Sequence, residues 1–136
     1  DNANHLEHKK GDFSLGESST KIIETLKLVE ETRKIKVENR FQLIKGDIIK
    51  TMPRLLESDK SISIALLYLD LDLYEPTKKT LENCLPRMPK GSIIVLDEYA
   101  DPDWPGETQV LMDTMGINNV EIRSFPFVPR ISYFRI

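Results

Sequence analysis

Two acid-bearing segments carry the chemistry of this chain. Asp70 and Asp72 close an apolar run in the string Leu69-Asp70-Leu71-Asp72-Leu73-Tyr74-Glu75-Pro76-Thr77, and Asp97-Glu98-Tyr99 closes a second one after a helix-like segment. Buried strands that end in carboxylates and are joined by a helix place those carboxylates side by side at one sheet edge, where open α/β sheets carry their chemistry. Crowded acids repel unless a cation or a proton joins them. The pattern therefore points to a metal site or a general base built from Asp70, Asp97 and Glu98. The competing reading is helix capping, since negative charge is favoured at helix N-termini. Three converging carboxylates exceed what caps require. Asp72 divides evenly between supporting that site and capping the helix near Pro76, and Tyr74 and Glu75 read as structural.

The elements that must position these acids follow from periodicity and punctuation. Residues 1–15 lack periodicity and read as a loop, which leaves His5, His8, Lys9 and Lys10 solvated. Ser18 or Ser19 caps a helix over 20–34, with Ile22, Ile23, Leu26 and Val29 at helical spacing. A short strand is expected at 41–44, then a helix over 48–58 with Pro53 in its first turn. Residues 62–69 form a continuous apolar strand, the pattern of a sheet covered on both faces. A helix over 77–88, a turn at Pro89-Lys90-Gly91, a strand over 92–96 and a helix over 107–115 come next. Two final strands, 120–125 and 131–136, flank Pro126 and Pro129 and have no helix between them. Alternating strands and helices mean parallel pairing, and the last two strands pair antiparallel. The expected fold is α/β: a Rossmann-like, doubly wound, mostly parallel sheet of five strands with a terminal antiparallel hairpin.

Composition narrows the function classes. The 136 residues suit one domain, and a net charge of −3 provides no basic face for nucleic acid. No run is long enough to span a bilayer, and the expectation from the polar, charged start is that it is no signal peptide. The single cysteine, Cys84, lies on an apolar face with Leu81, Leu85 and Met88 and reads as a buried thiol. One cysteine favours a reducing compartment, and a cytoplasmic location is the expectation. No glycine-rich phosphate motif of the dinucleotide or P-loop kind occurs. No feature encodes homo-oligomerisation, which stays open.

The acidic string 69–77, the Pro86-Arg87-Met88-Pro89-Lys90-Gly91 turn, the strand ending Asp97-Glu98-Tyr99 and the loop Trp104-Pro105-Gly106-Glu107-Thr108 resemble the macrocin O-methyltransferase family. The resemblance runs from about His8 to Ile136 and implies a class I methyltransferase that uses S-adenosylmethionine and Mg²⁺ on a hydroxyl of a sugar or glycosylated metabolite. It implies that Asp70, Asp97 and Glu98 hold the metal and that Asp70 is also the general base. Mg²⁺ takes oxygen ligands and keeps waters that a diol can replace. Gly46-Asp47-Ile48 falls where such enzymes meet the cofactor: Asp47 would contact the adenine amino group and Ile48 pack on the ring, against a plain N-cap role for Asp47. Trp104 could wall a sugar pocket or anchor its own loop.

The glycine-rich loop and the ribose-binding acid of that family are not in this sequence. The expectation is a partial methyltransferase domain over 1–136, incomplete by itself for cofactor binding. The alternative is a non-catalytic binding or structural module derived from a methyltransferase, its open strand edges covered by another chain.

Overall fold

The computed structural model describes residues 18–35 and 41–136. The chain divides into two compact units, Asp1–Lys45 and Gly46–Ile136. The expectations for residues 1–15 lie outside the described residues.

In the first unit, helix α1 (Ser18–Glu31) begins two residues before the expected start and ends three residues short of 34. Residues 41–44 form no strand. An apolar run becomes a strand only when its backbone finds a ladder partner, and no described residue provides one here.

The second unit opens on helix α2 (Ile48–Ser58), whose start is set by Asp47: the carboxylate accepts the Ile49 N–H at 3.2 Å. Pro53 sits in the interior of α2, past the first turn where it was expected, so it removes one internal hydrogen bond. Strand β1 (Leu66–Leu69) leads into α3 (Tyr74–Cys84), which ends in a 3₁₀ turn over Leu85–Arg87 that contains Pro86. Strand β2 (Ile93–Leu96), helix α4 (Gly106–Thr114), a 3₁₀ turn over Ile117–Asn119, and strands β3 (Arg123–Phe125) and β4 (Val128–Arg135) complete it.

Among the described residues the sheet has four strands in the order β1-β2-β4-β3, not the expected five. β1 and β2 are parallel; β4 is antiparallel to both β2 and β3. Three strands thus run one way, and the reversed β4 lies between β2 and β3. This is the expected Rossmann-like α/β class with its terminal hairpin. Pro129 falls inside β4 but beyond the β2 ladder, which ends at Leu96 opposite Ser132, so no bond to β2 is lost.

Side-chain alternation sorts the sheet into two faces. Leu67, Leu69, Ile94, Leu96 and Phe134 point to one face, where Leu81 and Cys84 of α3 and Val110 and Leu111 of α4 close the core. On the other face of β1, Leu66 is 59% and Tyr68 48% exposed. The expectation of a strand covered on both faces is corrected: β1 is four residues long and alternates exposed and buried. A continuous apolar run does not by itself distinguish one covered face from two.

Candidate active site

The β1–β2 register builds the site. Leu69 lies opposite Leu96, so the next residues, Asp70 and Asp97, leave the sheet side by side at its carboxyl edge. The Asp97 N–H donates to the Leu69 carbonyl at 3.1 Å, which extends the pairing by one peptide. Asp70 is exposed at its strand end, and among the described residues its carboxylate makes no hydrogen bond or ion pair. Partial burial and then the neighbouring Asp97 charge hold the Asp70 carboxyl above the usual carboxylate range. Asp97 accepts a hydrogen bond from the Tyr68 hydroxyl. That bond, helped by burial, pushes the Tyr68 phenol up to about 12.

The third acid turns elsewhere. Glu98 Oε2 is buried without a hydrogen bond and faces Arg130 Nη1 at 3.5 Å. Burial raises the Glu98 carboxyl, and Arg130 opposes that rise. The same guanidinium pairs through Nε with Asp101 Oδ2 at 3.0 Å. Asp101 is buried and also accepts the Asp103 N–H at 2.8 Å, which shapes the loop after β2. Ala100 in this loop takes φ +59 and Asp72 in the loop after β1 takes φ +55. Both are left-handed backbones that an L residue adopts at a cost of about 1–3 kcal/mol.

What ties the two loops together is the start of α4. Glu107 is fully buried; its Oε1 accepts the Leu71 N–H at 3.4 Å and its Oε2 the Glu98 N–H at 3.2 Å. Burial pushes its carboxyl up to about 7, against the pull of the two N–H donors. Thr108 Oγ1 accepts the Ala100 N–H at 2.8 Å. Gly106 makes the approach feasible: a Cβ there would overlap the Asp72 carbonyl oxygen and lie 2.7 Å from both Leu73 C and Tyr74 N. Only glycine lets one backbone lie this close to another.

The structure thus brings Asp70 and Asp97 together and sends Glu98 to Arg130. Among the described residues no group of three His, Cys, Asp or Glu side chains could hold a metal ion. The expected three-carboxylate metal set of Asp70, Asp97 and Glu98 is therefore not assembled, because Glu98 is drawn to a cation and Asp97 to a phenol. The capping alternative is not what these acids do either. The N-cap positions of α3 and α4 are Leu73 and Pro105, and neither helix start has a side-chain cap bond. Asp47 does cap α2, with Ile48 half-buried as its first residue. Gly46 takes φ +142, and a Cβ there would lie 2.8 Å from Thr51 Cγ2. Trp104 is half-buried. Cys84 is fully buried, and burial pushes its thiol up to about 11, as expected of a structural cysteine. Sequence reasoning missed Tyr68, Arg130 and above all Glu107; an acid in the first turn after Pro105-Gly106 was the available signal for the last.

Acids converging from adjacent parallel strands of a Rossmann-like sheet define a class of α/β enzyme site. The model of the methyltransferase domain matches residues 4–99, and the chain belongs to that family. The apo structure of CalS11, a TDP-rhamnose 3'-O-methyltransferase of calicheamicin biosynthesis, is 38% identical with a TM-score of 0.84, over 90% of this chain and 54% of that one. The O-methyltransferase NovP, 19% identical with a TM-score of 0.61 over 96% of this chain and 53% of that one, shares the fold. A curated relative from Streptomyces olivaceus, 8-demethyl-8-(2,3-dimethoxy-alpha-L-rhamnosyl)-tetracenomycin-C 4'-O-methyltransferase, is 46% identical over 37 residues, which are 27% of this chain and 14% of that protein. The chain spans about half the length of the solved relatives, and its match to the curated one covers a seventh of that protein. Among the described residues no helix is long and apolar enough to cross a membrane.

Proposed function

We propose that this chain carries the acceptor-activating part of an S-adenosylmethionine-dependent O-methyltransferase of the macrocin type, acting on a sugar hydroxyl. The observation that carries the reading is Asp70: an exposed carboxylate at the end of β1, its proton affinity raised by burial and by Asp97. A base is most useful when its affinity approaches that of the working pH. The relatives' names support a sugar acceptor, since both CalS11 and the tetracenomycin enzyme are named for rhamnose or rhamnosyl substrates.

Asp70 accepts the proton of the acceptor hydroxyl and so makes its oxygen the nucleophile. S-adenosylmethionine supplies the methyl group as a sulfonium. Much of the rate comes from alignment, which is the task of the two strand-end loops. Asp97, which accepts the Tyr68 hydroxyl hydrogen bond, stands beside Asp70 at the strand ends. Asp47 and Ile48, at the start of α2, are the residues proposed to meet the adenine amino group and ring, with Gly46 leaving room for the turn. Glu98, turned to Arg130, does not join Asp70 and Asp97 in a three-carboxylate set, and activation is assigned to Asp70 as base.

Calorimetric titration with S-adenosylhomocysteine, with and without Mg²⁺, tests the cofactor part. Methyl transfer to a rhamnosylated acceptor by wild type and Asp70→Asn tests the base. A variant that retains wild-type turnover overturns the assignment. The exposed apolar side of β1, with Leu66 and Tyr68, favours a second reading as a binding module paired with another chain or a second copy. Absence of cofactor binding together with a stable dimer in sedimentation would select that reading.

A further inference from the structure

We propose that Glu107 is a positioning residue for methyl transfer, clasping the two loops that carry Asp70 and Asp97 and setting the separation of those acids. The inference rests on the reading of Asp70 and Asp97 as the reacting edge.

Each oxygen of Glu107 takes one peptide N–H, and the two come from equivalent places. Leu71 directly follows Asp70, and Glu98 directly follows Asp97. The N–H after a residue lies in the peptide plane that contains that residue's own Cα. Holding it therefore fixes the ψ angle of each aspartate and the direction in which its side chain leaves the chain. Neither amide has a place in the β1–β2 ladder, which runs from Leu66 opposite Ile93 to Leu69 opposite Leu96. The clasp takes over where the sheet stops.

Complementing the helix dipole does not account for this residue. A first-turn glutamate does that equally well in solvent, whereas Glu107 is fully buried. Burying a carboxylate is costly unless hydrogen bonds offset it. The offset here comes from two separate loops, and Gly106 brings the backbone of α4 against the Asp72 carbonyl and so sets Glu107 within reach of both. Thr108 adds a third attachment, at Ala100.

The test compares wild type with Glu107→Gln, which keeps one acceptor, and Glu107→Ala, which keeps none. Amide hydrogen exchange in the full chain should show Leu71 and Glu98 protected in wild type. One should lose protection in Glu107→Gln and both in Glu107→Ala, while Leu67 and Ile94 stay protected in all three. In methyl transfer, kcat should fall about 10-fold in Glu107→Gln and about 100-fold in Glu107→Ala, as expected for misplacement near 1 Å. KM for acceptor and cofactor should stay within about twofold, which a general loss of folding would not produce. Free exchange of both amides in wild type overturns the clasp. So does a Glu107→Gln enzyme with unchanged kcat, or one that loses kcat only in proportion to its folded fraction. If wild type transfers no methyl group, the proposed function fails, and the exchange pattern alone supports or overturns the clasp.

Discussion

Gly106→Ala is the sharpest probe of how the site is assembled. The added methyl would meet backbone, not a flexible side chain: the Asp72 carbonyl oxygen, Leu73 C and Tyr74 N. Nothing there can rotate away, so the start of α3 must move from the start of α4. Overpacking costs about 1–3 kcal/mol, and a backbone clash belongs at the upper end. Alanine recovers up to about 1 kcal/mol of helix propensity, leaving a net loss of about 2 kcal/mol. For a unit of this size that is about 8–16 °C in melting temperature. Gly91→Ala is the matched control. A Cβ at Gly91 meets nothing within 4 Å, but its φ of +96 strains any L side chain, at about 1–2 kcal/mol. Urea unfolding followed by tryptophan fluorescence and by circular dichroism measures both. The contact argument expects Gly106→Ala to lose stability and also the slow exchange of the Leu71 amide; Gly91→Ala should lose stability alone. A Gly106→Ala protein within about 0.5 kcal/mol of wild type, with Leu71 still protected, would refute the reasoning.

Three further outcomes follow from the geometry. The Glu107 carboxyl is raised from 4.5 to about 7 in the folded state, so its contribution to stability is fully present below pH 4.5, declines as pH rises and is gone above about 7. The decline is at most about 3 kcal/mol, and pH-dependent urea unfolding should show it in wild type and lack it in Glu107→Gln. Asp47→Ala removes the cap on the Ile49 N–H and should destabilise the second unit by about 1 kcal/mol, read from the same unfolding curves. The buried Cys84 thiol, held at about 11, should stay unreactive toward a disulfide reagent at pH 8 until denaturant exposes it; prompt labelling of the native chain would contradict the packing.

The local signals in this sequence are reliable guides where the outcome is local. Asp47 before an apolar periodic stretch marks the start of α2, and the Pro89-Lys90-Gly91 turn marks the start of β2. The acids at 70 and 97 are legible because strand ends and the parallel order of β1 and β2 follow from alternation with helices. Glu98 is misread because its direction depends on Arg130, thirty-two positions later on β4. Glu107 is invisible for the same reason: its meaning lies in amides at 71 and 98, and no periodicity links the three. The run 41–44 shows the limit of β propensity, which describes a surface that fits a sheet and says nothing about whether a neighbour is present.

The reversed strand has a consequence for the order of assembly. β4 is the last of the four strands in chain order, yet it lies inside the sheet, between β2 and β3. Its Phe134 is 1% exposed in the core, and Ile136 beyond it closes back on Ser92 with a 3.0 Å bond. Strand β3 therefore has no seat until β4 arrives, because among the described residues only β4 joins it to the rest. During synthesis, which proceeds from the N-terminus, the edge of β2 waits unpaired while the following forty residues are made. A nascent chain stalled before β4 holds both acids, both crossover helices and no closed core, and it presents an apolar strand edge to its surroundings.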